Sequence, residues 1–183
     1  ASGILFFLLR HVWSMGRMLC LLRTCRKEKR EDGITLYVHR AKVAPFSWMK
    51  KIAISEDDLA KHGEAILAHE RAHIRNGHSW DLLLAQACVF LQWFNPAAWL
   101  LKKELQTIHE YEADEDVICN GMEASIYQLS MIEKAVGTRL FTIANSFNHG
   151  LLTKRITMMN KERSRRWACL KYLFVLPLSA LVV

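Results

Sequence analysis

The chain has 183 residues, 51% of them hydrophobic, and a formal net charge of +7, so it can form one sizeable core but not two clearly separate domains. The hydrophobic fraction is high for a soluble enzyme and low for a transporter bundle, and it fits a soluble domain attached to a membrane. The five cysteines are scattered without a CxxC pair, which argues against a disulfide-stapled secreted domain or a thiolate metal site and favours hydrophilic parts that face the reducing cytosol.

Residues 1–22 are expected to contain the end of a transmembrane helix and a juxtamembrane helix. They are mostly apolar, but two arginines and a histidine interrupt them, so only residues 4–9 could lie deep in lipid. The basic segment 23–30 follows, and such segments prefer the cytoplasmic side of a membrane.

A small sheet is predicted next, after a turn signal at Asp32-Gly33. Residues 34–39, 45–48 and 52–54 are short segments rich in β-branched and aromatic residues, which predicts two or three strands. Together with the helices that follow, these strands predict a mainly α fold with a small β-sheet, of the α+β class.

Two helices are predicted to carry the chemistry of the chain. The first begins at Ser55, which forms a capping box with Asp58, and it ends at the Asn-Gly pair that starts with Asn76. The second runs from about Ala97 to Cys119, where another Asn-Gly pair follows.

The C-terminal part is predicted to be helical and then to enter a membrane. Residues 151–171 contain seven basic residues and one acidic residue, next to the mostly apolar residues 169–183. This combination indicates anionic lipid headgroups and a cytoplasmic orientation, with the start of a transmembrane helix at 169–183. The chain begins without Met and stops inside this apolar run, so both ends are expected to continue in a longer protein. No DNA-binding motif accompanies the basic segment, so a direct nucleic-acid partner is not expected.

The segment His69-Glu70-Arg71-Ala72-His73 fits the HExxH motif of zinc peptidases. Residues four apart on a helix share a face, so both imidazoles can bind one Zn²⁺ while Glu70 reaches a water on that metal. Zinc lowers the pKa of such a water to ~7, and the carboxylate can take its proton. Matches to so short a motif also arise by chance on surface helices, but its position late in a capped helix favours a metal site.

The second helix contains the acidic segment 110–116, which could complete this site. A catalytic zinc needs a third protein ligand, and Glu110 is the first candidate. Asp114 lies four residues further, on the same face, and could accept a hydrogen bond from a ligating imidazole. Glu112 points about 200° away from Glu110. Taken alone, an acidic segment is more often a solvated helix face. Its combination with HExxH favours a metal site instead.

Four other histidines receive no role in this prediction. His62 is expected on the surface, two turns before the motif, and His78 follows the Asn-Gly break. His109 and His149 could help to hold a tetrahedral intermediate, but structural roles are favoured for both.

The apolar residues 82–101 are long enough to cross a bilayer, but a single crossing would separate the HExxH helix from Glu110. One zinc could not be shared across a membrane, because its ligand bonds are only about 2 Å long. We therefore predict a re-entrant, membrane-embedded helical hairpin at about 81–101. Its turn should lie near Pro96, which cannot continue the hydrogen bonding of an existing helix.

The motifs together resemble the membrane metallopeptidases of the β-lactam-sensor and antirepressor signal-transducer family, in the variants found in Bacteroidetes-type bacteria. The resemblance extends over nearly the whole chain, and the segments that carry it are 45–48, 68–75, 93–96, 109–114 and 154–160. The acidic segment also resembles that of the membrane proteases that process prenylated proteins, in which the first Glu is a metal ligand.

This resemblance implies a gluzincin-like zinc endopeptidase in a bacterial inner membrane, with its catalytic domain, residues 23–168, facing the cytoplasm. A signal would activate it to cleave a protein or peptide substrate, either a transcriptional repressor or itself. Its partners would be that substrate and the lipid membrane. The alternative is a zinc-containing membrane signalling or scaffold module without catalysis. The predicted site consists of Glu70 as general base, His69, His73 and Glu110 as zinc ligands, and Asp114 as the hydrogen-bond partner of a ligand.

Overall fold

The computed structural model describes residues 2–30, 32–41, 43–139 and 146–161. The predicted transmembrane segment at 169–183 lies outside these residues, as does most of the basic segment beyond Lys161. Within the described part, the helices and strands in chain order are α1 Ser2–Thr24, β1 Arg26–Lys29, β2 Thr35–His39, β3 Phe46–Trp48, β4 Lys51–Ser55, α2 Glu56–Arg75, α3 His78–Leu91, α4 Pro96–Cys119, α5 Ala124–Arg139 and α6 Ser146–Met159.

The strands form one sheet in the order β1-β2-β4-β3. Strands β2 and β4 are parallel, and the two outer strands pair with them antiparallel. The sequence predicts two or three strands, and the one it misses is β1. That strand consists of Arg26, Lys27, Glu28 and Lys29, a composition typical of a charged edge strand as well as of a membrane flank.

Both faces of the central strands are buried, each against a different helix. On one face Tyr37 and Ala53 pack with Leu22 near the end of α1. On the other face lie Leu36, Val38, Ile52 and Ile54, with partly buried residues of α2 against them. Because the sheet is covered on both sides, β2 and β4 read as continuous apolar runs. The α2 helix is thereby fixed on the sheet.

The α2 helix has the ends that the sequence predicts. Its N-cap is Ser55, whose hydroxyl accepts a hydrogen bond from the Asp58 backbone N–H at 3.0 Å. Its C-cap is Asn76. The HExxH segment therefore lies in the last turns of α2, and a kink at His62, with φ of −135°, separates it from the first turns.

The apolar run 82–101 is divided between α3 and α4, which pack against each other. The connection is the short turn 92–95, in which the Asn95 side chain caps α4 by accepting from the Ala97 N–H at 3.0 Å. Pro96 follows as the first helical residue, where its missing N–H costs nothing. The predicted break near Pro96 is confirmed, and insertion of this hairpin into a membrane stays a prediction.

Among the described residues, no helix combines enough length with enough hydropathy to cross a membrane. Residues 2–22, where the sequence predicts the end of a transmembrane helix, belong to α1.

Candidate metal centre

Packing of α2 against α4 brings the two predicted segments together. His69, His73 and Glu110 each offer one ligand atom, and these atoms lie within 4.8 Å of one another. The Nε2 atoms of the two histidines are 3.1 Å apart. Glu110 Oε2 is 3.4 Å from Nε2 of His69, and Oε1 is 3.6 Å from Nε2 of His73. Two imidazole nitrogens and one carboxylate oxygen form the donor set of many catalytic zinc sites, so the residues present fit this metal.

The two histidines differ in their affinity for protons. Burial lowers the pKa of His73 to about 4, and the nearby charge of His69 adds to this effect. Burial also disfavours the charged form of His69, but hydrogen bonds with Asp114 and Glu110 outweigh it and raise the pKa of His69 to about 9. A metal binds the neutral imidazole, so His73 is ready to bind at neutral pH, whereas His69 would release a proton on binding.

Glu70 lies beside these ligands with only 7% of its surface exposed. Burial raises the pKa of its carboxyl, although the positive charge of His69 and a hydrogen bond with Ser47 partly oppose the shift. A carboxylate with a raised pKa accepts a proton more readily than an ordinary glutamate. Glu70 lines the same cavity as the three candidate ligands.

Asp114 is almost fully buried beside His69. Its Oδ1 is 3.2 Å from Nδ1 of His69 and accepts a hydrogen bond from the Tyr127 hydroxyl at 2.7 Å. Burial alone would raise the pKa of Asp114, but hydrogen bonds with Arg155 and His69 lower it to about 2. The carboxylate is therefore ionised at neutral pH. It faces Nδ1 of His69, whereas Nε2 of the same ring lies near His73 and Glu110.

Arg155 of α6 joins the two carboxylates of the site. Its Nε and Nη2 donate to the two oxygens of Asp114 at 2.8 and 2.6 Å, and its Nη1 is 2.9 Å from Oε2 of Glu110. The pKa of Arg155 is raised, because these two carboxylates overcome the effect of burial. Within the basic segment 151–171, this arginine is thus directed into the protein rather than towards lipid headgroups.

The remaining histidines occupy different surroundings. His78 hydrogen-bonds through Nδ1 to Nδ1 of His73 at 2.7 Å, and it stacks on His109 with the ring centres 3.9 Å apart. His109 is itself buried. His62 is half-buried rather than on the surface, and Nε2 lies 3.9 Å from Glu133. The side chain of His149 lies outside the described residues.

A cavity of about 490 Å³ opens over these residues. One wall is formed by the end of the sheet, where residues 44–47 precede and begin the edge strand β3. Helices α2, α3, α5 and α6 contribute to the rest of the lining, which also includes Glu70 and the three candidate ligands. A cavity of this size beside the three candidate ligands can admit an extended peptide segment.

The model of one protein family, described as BlaR1 peptidase M56, matches residues 18–159, well over half of the chain. The chain belongs to this family. M56 proteins are zinc metallopeptidases, and the BlaR1 proteins among them are membrane sensors. A comparison with curated proteins finds no match. The matched region of this M56 peptidase contains every element that contributes to the metal centre.

Three residues that contact the candidate site have no role in the sequence prediction, namely Tyr127, Arg155 and His78. Tyr127 and Arg155 lie on α5 and α6, far from HExxH in sequence, and no local spacing connects them to it. His78 is only five residues from His73, but it follows the end of α2. Helical periodicity therefore cannot predict its position relative to His73. A buried ion pair leaves no periodic signal, since one arginine among several basic residues looks like the others.

Proposed function

We propose that this chain is a membrane-bound zinc endopeptidase that acts in signal transduction by cleaving a repressor or itself. The observation that carries the proposal is the convergence of His69, His73 and Glu110 in the lining of a peptide-sized cavity, together with Glu70. Membership in the M56 family supports the same chemistry.

In this proposal His69, His73 and Glu110 hold the zinc ion. When bound, zinc supplies a water of lowered pKa and polarises the carbonyl of the scissile bond. Glu70 would accept a proton from the attacking water and return it to the leaving amine. Its burial favours this exchange, because a raised pKa brings the carboxyl closer to the operating pH.

Asp114 positions His69. Its carboxylate at 3.2 Å and the Tyr127 hydroxyl at 2.9 Å can both accept the Nδ1–H of the ring, which would leave the lone pair of Nε2 available to a metal. Arg155 and Tyr127 hold Asp114 in turn through three hydrogen bonds. The second contact of Arg155, to Glu110, keeps that carboxylate aligned with the histidines.

The edge strand β3 is suited to receive the substrate. One of its edges pairs with β4, and within the described residues no strand pairs with the other edge. Residues 44–47 line the cavity at this edge, so a substrate backbone added there as a strand would run past Glu70. Main-chain hydrogen bonds would then align the scissile peptide with little dependence on the side chains of the substrate.

The α3–α4 hairpin is the part proposed to enter the lipid, with the catalytic residues on the cytoplasmic side of a bacterial inner membrane. Its outer surface exposes large apolar side chains near the turn, including Leu91, Phe94 and Leu101, each more than 60% exposed. An exposed apolar surface of this extent marks a lipid or protein contact. Lys103 follows it, as expected where a hairpin returns to the cytoplasmic face.

The proposal is tested by co-expression of the chain with a repressor encoded beside its gene, followed by mass spectrometry of the fragments of both proteins. Fragments that form with the wild type and are absent with Glu70→Gln support zinc-dependent cleavage by this site. Intact proteins in both cases, with zinc bound at one ion per chain, would contradict the peptidase and support a zinc-containing signalling module instead.

A further inference from the structure

Behind His73 lies a chain of hydrogen-bonded side chains that the proposed mechanism does not use. His73 contacts His78 through the two Nδ1 atoms at 2.7 Å, and Nε2 of His78 is 3.0 Å from Oε2 of Glu112. The contacts thus run from the carboxylate of Glu112 through one imidazole to the next. The last ring in this series presents Nε2 to the candidate zinc position.

The geometry of this series, together with metal binding through Nε2 of His73, assigns its protons. Two Nδ1 atoms at 2.7 Å share a single proton, which belongs either to His73 or to His78. If His78 held it, neutral His73 would carry its proton on Nε2, and that atom could not bind a metal. If His73 holds it, the Nε2 lone pair of His73 is free. Neutral His78 then carries its own proton on Nε2, facing the carboxylate of Glu112.

We propose that His78 is a positioning residue for zinc binding: it accepts the Nδ1–H of His73, donates its own Nε2–H to Glu112, and so fixes the ring and the tautomer of the ligand. This inference rests on the proposed zinc site. His78 does for the second histidine of the motif what Asp114 does for the first, except that an imidazole stands between the ligand and the carboxylate.

The surroundings of His78 suit a positioning role. Its side chain is 3% exposed, and its ring lies parallel to that of His109, with an angle of 6° between the planes. His109 is itself 4% exposed and is held at Nε2 by Asp81 at 3.2 Å. A ring packed in this way cannot rotate away from His73 without disturbing the stack, so its Nδ1 stays directed at His73.

Three variants separate positioning from packing when zinc affinity is measured on the purified chain in detergent micelles. His78→Phe keeps the stacked ring but removes the acceptor, and we expect a loss of about 10–100-fold in zinc affinity. His78→Asn places an amide oxygen where Nδ1 lay, and it should restore most of that affinity. His109→Phe is the matched control, because it changes the other ring of the stack without touching a ligand, and it should bind zinc like the wild type.

Wild-type affinity in His78→Phe, or equal losses in His78→Phe and His109→Phe, would overturn the positioning role and leave the zinc site itself intact. Failure of the wild type to bind zinc would overturn the proposed function and this inference with it. A second measurement is independent of affinity and activity. Nitrogen-15 NMR of histidine-labelled, zinc-loaded chain should show the protons on Nδ1 of His73 and on Nε2 of His78, and a proton on Nδ1 of His78 would refute the assignment.

Discussion

Glu110 and Glu112 lie two residues apart on α4 and contact different histidines. Glu110 is 3.4 Å from the Nε2 of His69, in the candidate zinc site, whereas Glu112 is 3.0 Å from Nε2 of His78, behind it. Successive positions two apart on a helix point in nearly opposite directions, so only one of these carboxylates can face the metal. The two glutamates therefore have different roles despite their common sequence context.

Glu110→Gln and Glu112→Gln form a matched pair, since each removes one negative charge from the same turn of α4. Glu110→Gln should weaken zinc binding by more than the roughly 10–100-fold that loss of a ligand's hydrogen-bond partner costs. Glu112→Gln should retain zinc, because its amide oxygen can still accept from His78. Zinc content after dialysis distinguishes the two. Retention in the first variant with loss in the second would reverse the assignment of the third ligand.

Glu70→Gln should keep zinc and lose cleavage. The substitution removes the proton acceptor but leaves His69, His73 and Glu110 in place, so metal content should equal that of the wild type. Loss of a general base lowers the rate by about 10²–10⁴-fold. Metal analysis and a cleavage assay on the same preparation test both halves, and near-normal turnover in this variant would refute the mechanism.

Arg155→Met should destabilise the protein strongly. The substitution removes the guanidinium that donates two hydrogen bonds to Asp114, 1% exposed, and that also contacts Glu110. Loss of one partner of a buried ion pair costs about 3–5 kcal/mol. Denaturant unfolding in detergent micelles with excess zinc measures the loss of free energy of unfolding.

Arg75→Met is the matched control for this measurement. Arg75 pairs with Asp116 at 2.7 Å, but its side chain is 55% exposed, so the control should cost about 1 kcal/mol or less. Equal effects of the two substitutions would show that Arg155 contributes no more than a surface ion pair.

The features that the sequence predicts well are those set by neighbouring residues. The start of α2 follows from the hydroxyl of Ser55 and the N–H of Asp58, three residues apart, and the HExxH spacing places His69 and His73 on one face. The break at Pro96 is local in the same sense. In each case the relevant contact lies within one turn of helix, so the order of residues determines it.

The features that the sequence does not reveal depend on contacts between distant segments. Tyr127 and Asp114 share a hydrogen bond across two helices, and no spacing rule relates them. His78 reaches His73 because Gly77, between α2 and α3, adopts a left-handed conformation with φ of 72° and turns the chain back. The sequence does not predict strand β1, because its charged side chains are equally typical of a solvent-exposed edge strand and of a membrane flank.

The lengths and packing of α3 and α4 bear on the predicted re-entrant topology, which stays a prediction. The α3 helix has 14 residues, which extend only about 21 Å at ~1.5 Å per residue, less than the roughly 30 Å of a bilayer core. After the turn at 92–95, α4 packs back against both α3 and α2. Glu110 and the HExxH segment thus reach the same cavity, and any membrane that the hairpin enters must leave both on one side.

Cysteines introduced at Lys61 and Lys103 should therefore have the same sidedness in cells. Both lysines are exposed, one on α2 before HExxH and the other on α4 just after the apolar run. In a background without the five native cysteines, a membrane-impermeant thiol reagent should label neither position in intact cells, and both after permeabilisation. Labelling after permeabilisation shows that each thiol is reactive, so protection in intact cells reports location. Labelling of one position but not the other in intact cells would place the two lysines on opposite sides of the membrane, which is incompatible with a hairpin and with a zinc site shared by His69, His73 and Glu110.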